Sequence, residues 1–247
     1  MDTLSTFTEA LIDATRSENA FVPKGRLPKS VDEAYAVQDD VAQALQRRPG
    51  AWKTSRQPNA DSLYAPIPQS RCFSSGGQVS CPGRIGVELE IGWKILDTLP
   101  ALSTPDYQEA LRLRVAPFPV IELVHSRIEG ALASDPFVKL ADGMAGHSLV
   151  SGEPQAAIRQ TTFGEVAGQL LIDDEPVIVS GLKVPGGDAL ATLAEFLAVI
   201  GNKGIFPIPG QIVITGSLHP MVHAAPGARI AGRLDGLGTV EVKLAAQ

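Results

Sequence analysis

The run Pro119-Val120-Ile121-Glu122-Leu123-Val124 places one ionisable side chain inside an otherwise apolar strand. A carboxylate there costs several kcal/mol unless it is paired or bound to a metal. About thirty residues earlier, Val87-Glu88-Leu89-Glu90-Ile91 alternates strictly, as a strand with one buried face does. Successive strand residues face opposite ways, so Glu88 and Glu90 share a face roughly 7 Å apart, while Val87, Leu89 and Ile91 fill the other. Such a pair is either the charged outer face of a half-exposed strand or a seat for a hard divalent cation, which prefers oxygen ligands. For Glu122 the alternative to a metal is an ion pair with Arg127 or another arginine.

Around these strands the pattern is mixed. Apolar residues at Leu4, Phe7, Leu11 and Ile12 predict a helix over residues 3–18. Ser30, with Glu33 three residues on, predicts a capping box and a second helix running to Pro49-Gly50. Residues 51–84, rich in proline, glycine and serine, read as irregular loops and short strands. Strands are expected from 87 to 95 and from 117 to 124, with a helix at 106–114 between them. Further strands are expected at 147–152, 168–173, 176–180, 211–215, 227–233 and 238–244, and a helix from 187 or 188 to 200. The expected architecture is α+β: a helical and loop segment over residues 1–80, then a β-rich domain with mixed sheets over 81–247, together one compact unit.

At 247 residues with 44% hydrophobic and 19% charged residues, the chain can build a sizeable core. The net charge of −6 and the lack of a Lys/Arg-rich run argue against nucleic acid. No apolar run approaches the roughly 20 residues of a membrane span, and Met1-Asp2-Thr3-Leu4-Ser5 has no secretory signal character, so a cytoplasmic protein is expected. Cys72 and Cys81 read as free thiols of a reducing compartment, although their spacing also permits a disulfide. The glycines at 76–77 and 186–187 lack the strand–turn–helix context of a phosphate loop, and no Gly-x-Ser-x-Gly elbow occurs.

Gly86-Val87-Glu88-Leu89-Glu90-Ile91, followed by Ile121-Glu122-Leu123-Val124-His125-Ser126-Arg127-Ile128, resembles the hydratase/decarboxylase family of the fumarylacetoacetate hydrolase superfamily. That family includes 2-keto-4-pentenoate hydratase and 4-oxalocrotonate decarboxylase. Ala34-Tyr35-Ala36-Val37-Gln38, Ala141-Asp142 and Val213-Ile214-Thr215-Gly216-Ser217-Leu218-His219-Pro220-Met221-Val222 extend the resemblance over nearly the whole chain. It implies a fumarylacetoacetate hydrolase-like fold, Mg²⁺ or Mn²⁺ on Glu88, Glu90 and Glu122, and a small 2-oxo acid as substrate. It also implies a homo-oligomer, with association to another enzyme of the same pathway a further option.

Lys53 occupies the place of the family's substrate-facing lysine, without its flanking glycines. Asp142 and Asp61 are the candidate proton carriers, and Thr215, Ser217 and His125 the candidate substrate contacts. His125, like His219 and His223, stands either at the substrate or in a structural hydrogen bond. Gly143 replaces the family's asparagine after Asp142. The implied activity is hydration of a 2-hydroxydienoate or 2-oxo-alkenoate to a 4-hydroxy-2-oxo acid in aromatic-compound catabolism. Decarboxylation of a 2-oxo-enedioate, or a catalytically silent assembly partner, are the alternatives. A hydrolase of acylpyruvates would want a water-activating His-Glu pair near an N-terminal lid, which the sequence does not reveal.

Overall fold

The structure, a computed structural model, describes residues 3–57, 59–154 and 163–246. Two helices, α1 (Leu4–Ser17) and α2 (Val31–Ala44), open the chain and pack on one another. The Ser30 hydroxyl accepts from Glu33 N at 3.2 Å, as the capping box requires. The Glu33 carboxylate reaches one residue further back than expected and accepts from Lys29 N at 2.9 Å.

Where irregular loops and short strands were expected, the chain forms a long hairpin, β1 (Pro49–Gln57) and β2 (Ala60–Pro68). Short strands β3 (Cys72–Ser74) and β4 (Gln78–Cys81) follow, and both cysteines are free. Then come β5 (Ile85–Ile95), α3 (Tyr107–Arg112), β6 (Val115–Val124), α4 (Pro136–Ala141) and β7 (Gly146–Ser151). The hairpin β8 (Glu165–Ile172) and β9 (Glu175–Lys183) leads to α5 (Ala189–Gly201). Asp188 caps α5, accepting from Ala191 N at 2.9 Å. Four strands end the chain: β10 (Ile212–Ile214), β11 (Val222–Ala224), β12 (Arg229–Leu234) and β13 (Gly238–Ala246).

The larger sheet runs β2-β1-β10-β5-β6-β7-β3, with β11 pairing β5 beyond β10, and the smaller runs β4-β13-β12-β8-β9. Both are mixed, since β1–β10, β3–β7 and β4–β13 pair in parallel and the rest antiparallel. Strands from before residue 80 therefore belong to the same two sheets as those after it.

The larger sheet curls on itself. Ala51 and Ile67 from β1 and β2 share one buried cluster with Phe118 and Val120 of β6, Leu149 of β7 and Ile212 and Ile214 of β10. The outside of the curl carries Val87, Leu89, Ile91, Trp93, Ile121 and Leu123, which join the main core with the smaller sheet and the helices. The sheets meet closely: a Cβ added to Gly232 of β12 would stand 2.6 Å from Leu89 Cδ1. No helix among the described residues is long and apolar enough to cross a membrane.

Leu89 is fully buried between the sheets. Leu89→Ala is expected to cost about 2–5 kcal/mol, measured as a lower urea midpoint at unchanged slope. A loss below about 1 kcal/mol would mean that the smaller sheet does not close over this strand.

Candidate metal centre

Ten residue pairs hold β5 against β6, and within that register Glu88 lies directly opposite Glu122. Cross-strand partners share a face, so Glu88, Glu90 and Glu122 all point into one mouth of the curled sheet. One carboxylate oxygen from each lies within 4.8 Å of the others. Glu122 is 0% exposed and Glu90 2%, while Glu88 is half-buried at the cavity side. The apolar cluster Phe118, Val120, Ile212 and Ile214 continues the same inner surface away from the acids.

Lys53 answers them from the far wall of the curl. Its Nζ donates to Glu122 Oε1 at 2.6 Å and to the Met144 carbonyl at 3.2 Å. Glu122 therefore pairs with this lysine, and Arg127, the arginine weighed as an alternative partner, pairs with Asp142. Space for the lysine depends on Gly146, where a Cβ would stand 3.2 Å from Glu122 Oε1 and 3.4 Å from Lys53 Cδ.

Three carboxylates against one ammonium leave two negative charges in a buried place. Burial, then the charges of Glu122 and Glu88, push the Glu90 carboxyl well above its ordinary range, against Lys53 and the Gly216 N–H. Burial likewise raises Glu122, with Lys53 opposing. Burial pulls the Lys53 ammonium down, but the facing carboxylates of Glu122, Glu90 and Glu88 outweigh it and leave it above its ordinary value. Glu122 Oε2 is buried with no hydrogen-bond partner. A hard divalent cation fits this donor set: it takes oxygen ligands, matches the two uncompensated charges and occupies the orphaned lone pair.

The loop between β10 and β11 completes the wall. Gly216 N donates to Glu90 Oε2 at 2.8 Å, and Thr215 Oγ1 to the Ile91 carbonyl at 3.4 Å. His219 accepts from Leu89 N at its Nε2 (3.0 Å) and faces the Pro220 carbonyl with Nδ1 (2.7 Å). Nε2 thereby ties the loop to β5 and Nδ1 bonds within the loop, the structural alternative for this histidine. The Ser217 hydroxyl bonds within the loop, to the His219 carbonyl at 2.7 Å.

Outside the acids lies a cavity of about 670 Å³, within the size range of small-molecule sites. Lys53, His125, Thr215, Ser217 and His223 line it together with Arg84 and Lys139. Burial, then the charge of Arg127, lower His125, with Asp142 opposing.

The two candidate proton carriers lie apart from this cavity's lining. Asp142 is 1% exposed and accepts from Ser126 Oγ (2.8 Å), Arg127 N (3.1 Å) and Arg127 Nε (2.5 Å). It anchors Arg127 and faces a second cavity. Asp61 is exposed near the turn of the β1–β2 hairpin. The sequence reading missed the Met144 carbonyl and the Gly216 amide, which are backbone groups, and Arg84 and Lys139, which carry no motif. Gly216 alone had a signal, as the glycine of the Thr-Gly-Ser segment.

No protein-family model matches the chain, and no curated protein matches it. Solved structures do. A 4-oxalocrotonate decarboxylase from Pseudomonas putida G7, complexed with magnesium and adipate, superposes with a TM-score of 0.77 at 19% identity, covering 97% of this chain and 96% of that one. The same enzyme complexed with calcium and acetate gives 0.77 at 18% identity and the same coverage. A fumarylpyruvate hydrolase from Pseudomonas aeruginosa, in complex with Mn²⁺ and pyruvate, gives 0.55 at 17%, covering 80% and 89%. The chain thus has the fumarylacetoacetate hydrolase-like fold expected from the resemblance.

Mg²⁺ or Mn²⁺ at about 100 times its dissociation constant is expected to stabilise the protein by about 2.7 kcal/mol, raising Tm by roughly 5–10 °C. In Glu90→Gln the metal-free protein is expected to melt higher than wild type, because a buried repulsion is gone, and the metal shift is expected to vanish. Equal metal shifts in both proteins, by differential scanning fluorimetry, would remove Glu90 from the ligand set.

Proposed function

We propose that this chain is a divalent-metal-dependent lyase that adds water to a 2-hydroxydienoate or 2-oxo-alkenoate, giving a 4-hydroxy-2-oxo acid. The observation that carries this reading is the convergence of Glu88, Glu90 and Glu122 within 4.8 Å, with Lys53 Nζ 2.6 Å from Glu122. Three oxygen ligands leave coordination positions open, the arrangement a chelating 2-oxo carboxylate needs. A cation held there supplies Lewis acidity to the 2-oxo group, favouring the enolate over the ketone.

The chain's own residues supply the rest. Lys53 stays an ammonium and sets fixed positive charge beside the 2-oxo oxygen, where negative charge develops. Ser217 and His125 on the cavity wall offer polar groups to a bound water or to the substrate's far end. Asp142, saturated by Arg127 and Ser126, is placed to position Arg127, and we assign the proton-carrying role to neither Asp142 nor Asp61. The complete carboxylate–lysine set supports an active enzyme over a silent assembly partner. A homo-oligomer is proposed with it, and exposed Leu102 and Phe206, both beside Gly201, offer apolar surface to bury.

Decarboxylation of a 2-oxo-enedioate is the second reading. Two observations favour it: the end-to-end likeness to a decarboxylase, and the cationic Arg84 and Lys139 on the cavity wall, which suit a substrate with a second carboxylate. The same cations that would bind such a substrate would also stabilise its second carboxylate in the ground state, which opposes its loss as CO₂ and favours hydration.

A panel of 2-hydroxydienoates and 2-oxo-enedioates, assayed with Mg²⁺ and Mn²⁺, separates the two. Hydration is expected to bleach the dienol absorbance without CO₂; metal-dependent CO₂ release would replace it with decarboxylation, and inertness toward both classes would sink the lyase reading. Lys53→Met is expected to lower kcat by about 10²–10³-fold while metal affinity is kept or improved, since one cationic competitor is removed. Loss of metal binding in that variant would instead make Lys53 part of the metal cradle.

A further inference from the structure

Behind the metal centre lies a second cavity of about 170 Å³, between α2, the β1–β2 hairpin and the turn at residues 142–146. A smaller one of about 30 Å³ adjoins it; Thr15, Arg47, Pro68, Arg127 and Gly146 line both. The turn separates them from the metal centre: Gly143 and Gly146 face the rear cavity, Met144 and Ala145 the front one.

The two ends of this space differ in chemistry. One wall is aromatic, with Tyr35 and Tyr64 stacked 4.5 Å apart and Trp52 tilted against Tyr64. The other end is cationic. Arg127 is held by Asp142, and Arg71 pairs with Glu18, but the half-buried Arg47 guanidinium has no hydrogen-bond or ion-pair partner among the described residues. His147, 7% exposed, lines the small cavity; its Nδ1 contacts Ser148 Oγ at 2.9 Å, and its buried Nε2 has no hydrogen bond, Glu18 Oε2 lying 3.5 Å away. Burial first, then the charges of Arg71, Arg127, His125 and Arg47, push His147 down to about 3.

We propose that this rear cavity is a second binding site, separate from the metal centre, for a small aromatic carboxylate. The carboxylate would pair with Arg47, and the ring would pack on Tyr35, Tyr64 and Trp52. An apolar cavity of about 150 Å³ admits benzene, so the volume suits one ring, and guanidinium–carboxylate pairing gives the anion its specificity. A bare inorganic anion would leave the aromatic wall unused.

Benzoate titrated into the metal-free Glu90→Gln protein, followed by tryptophan fluorescence and calorimetry, tests this without the metal centre. Saturable one-to-one binding with a change in Trp52 emission is expected. Arg47→Gln is expected to weaken it about tenfold or more, with Arg47→Lys intermediate and both variants as stable as their parent. Binding that requires metal and Glu90 would place benzoate at the front cavity and overturn the proposal, as would undiminished affinity in Arg47→Gln. Inorganic phosphate binding as tightly as benzoate would overturn the aromatic part.

Discussion

Three carboxyl groups and one ammonium meet inside the curl of the larger sheet, and the backbone gives the acids no way to move apart. The far side of β5 is locked into the core by Val87, Leu89 and Ile91, all at most 1% exposed. Its near side is therefore fixed too, because strand side chains alternate. A slip of one residue against β6 would turn Glu88 and Glu90 into that core and Leu89 into the cavity. Hydrophobic burial on one face thus holds an electrostatic repulsion in place on the other. In the low dielectric of the curl, Lys53 offsets only part of it.

The same strand carries a gap along its edge. β10 pairs with residues 92–94 and β11 with residues 85–87, so the stretch bearing the two glutamates has no regular neighbour on that side. The intervening loop takes over: Leu218 N donates to the Leu89 carbonyl at 3.1 Å, and His219 Nε2 accepts from the Leu89 amide. An uninterrupted strand would have satisfied the same groups while turning alternate side chains away. The loop instead turns Thr215, Gly216 and Ser217 toward the acids, which is why irregular backbone is found at this position.

How far the site could be read from the sequence follows from how local each signal is. Glu88 and Glu90 declared themselves by alternation, and Glu122 by being a charge in an apolar strand; both signals need only a few residues. The hairpin carrying Lys53 did not, because Pro66 and Pro68 read as loop punctuation. They sit in β2, an edge strand, where a missing N–H costs no ladder bond. Lys53 was placed by resemblance alone, since its partner lies 69 residues away and they meet only because the sheet curls. Asp142 was also found by resemblance, but its role was not. An acid in a motif looks the same whether it faces a substrate or an arginine, and Ser126 and Arg127 occupy its oxygens.

That arginine links Gly143 and its neighbours to the lysine. Residues 143–145 are all left-handed, with φ of 61°, 52° and 57°. For Met144 and Ala145 this conformation costs roughly 1–2 kcal/mol each. Gly143 bears it freely, and asparagine, the residue at this place in the family the sequence resembles, is among the few other side chains that tolerate it, so a glycine here keeps the same backbone path without the amide. Hydrogen bonds restrain the turn on every side. Arg127 donates to the Asp142 and Gly146 carbonyls, His125 N to the Ala145 carbonyl, and Lys53 to the Met144 carbonyl. Asp142 therefore acts at a distance: it fixes Arg127, Arg127 clamps the strained turn, and the turn aims the Met144 carbonyl that holds Lys53 against Glu122. Backbone strain of this kind persists only where its surroundings over-determine it, and here they are the residues that set the lysine's position against Glu122.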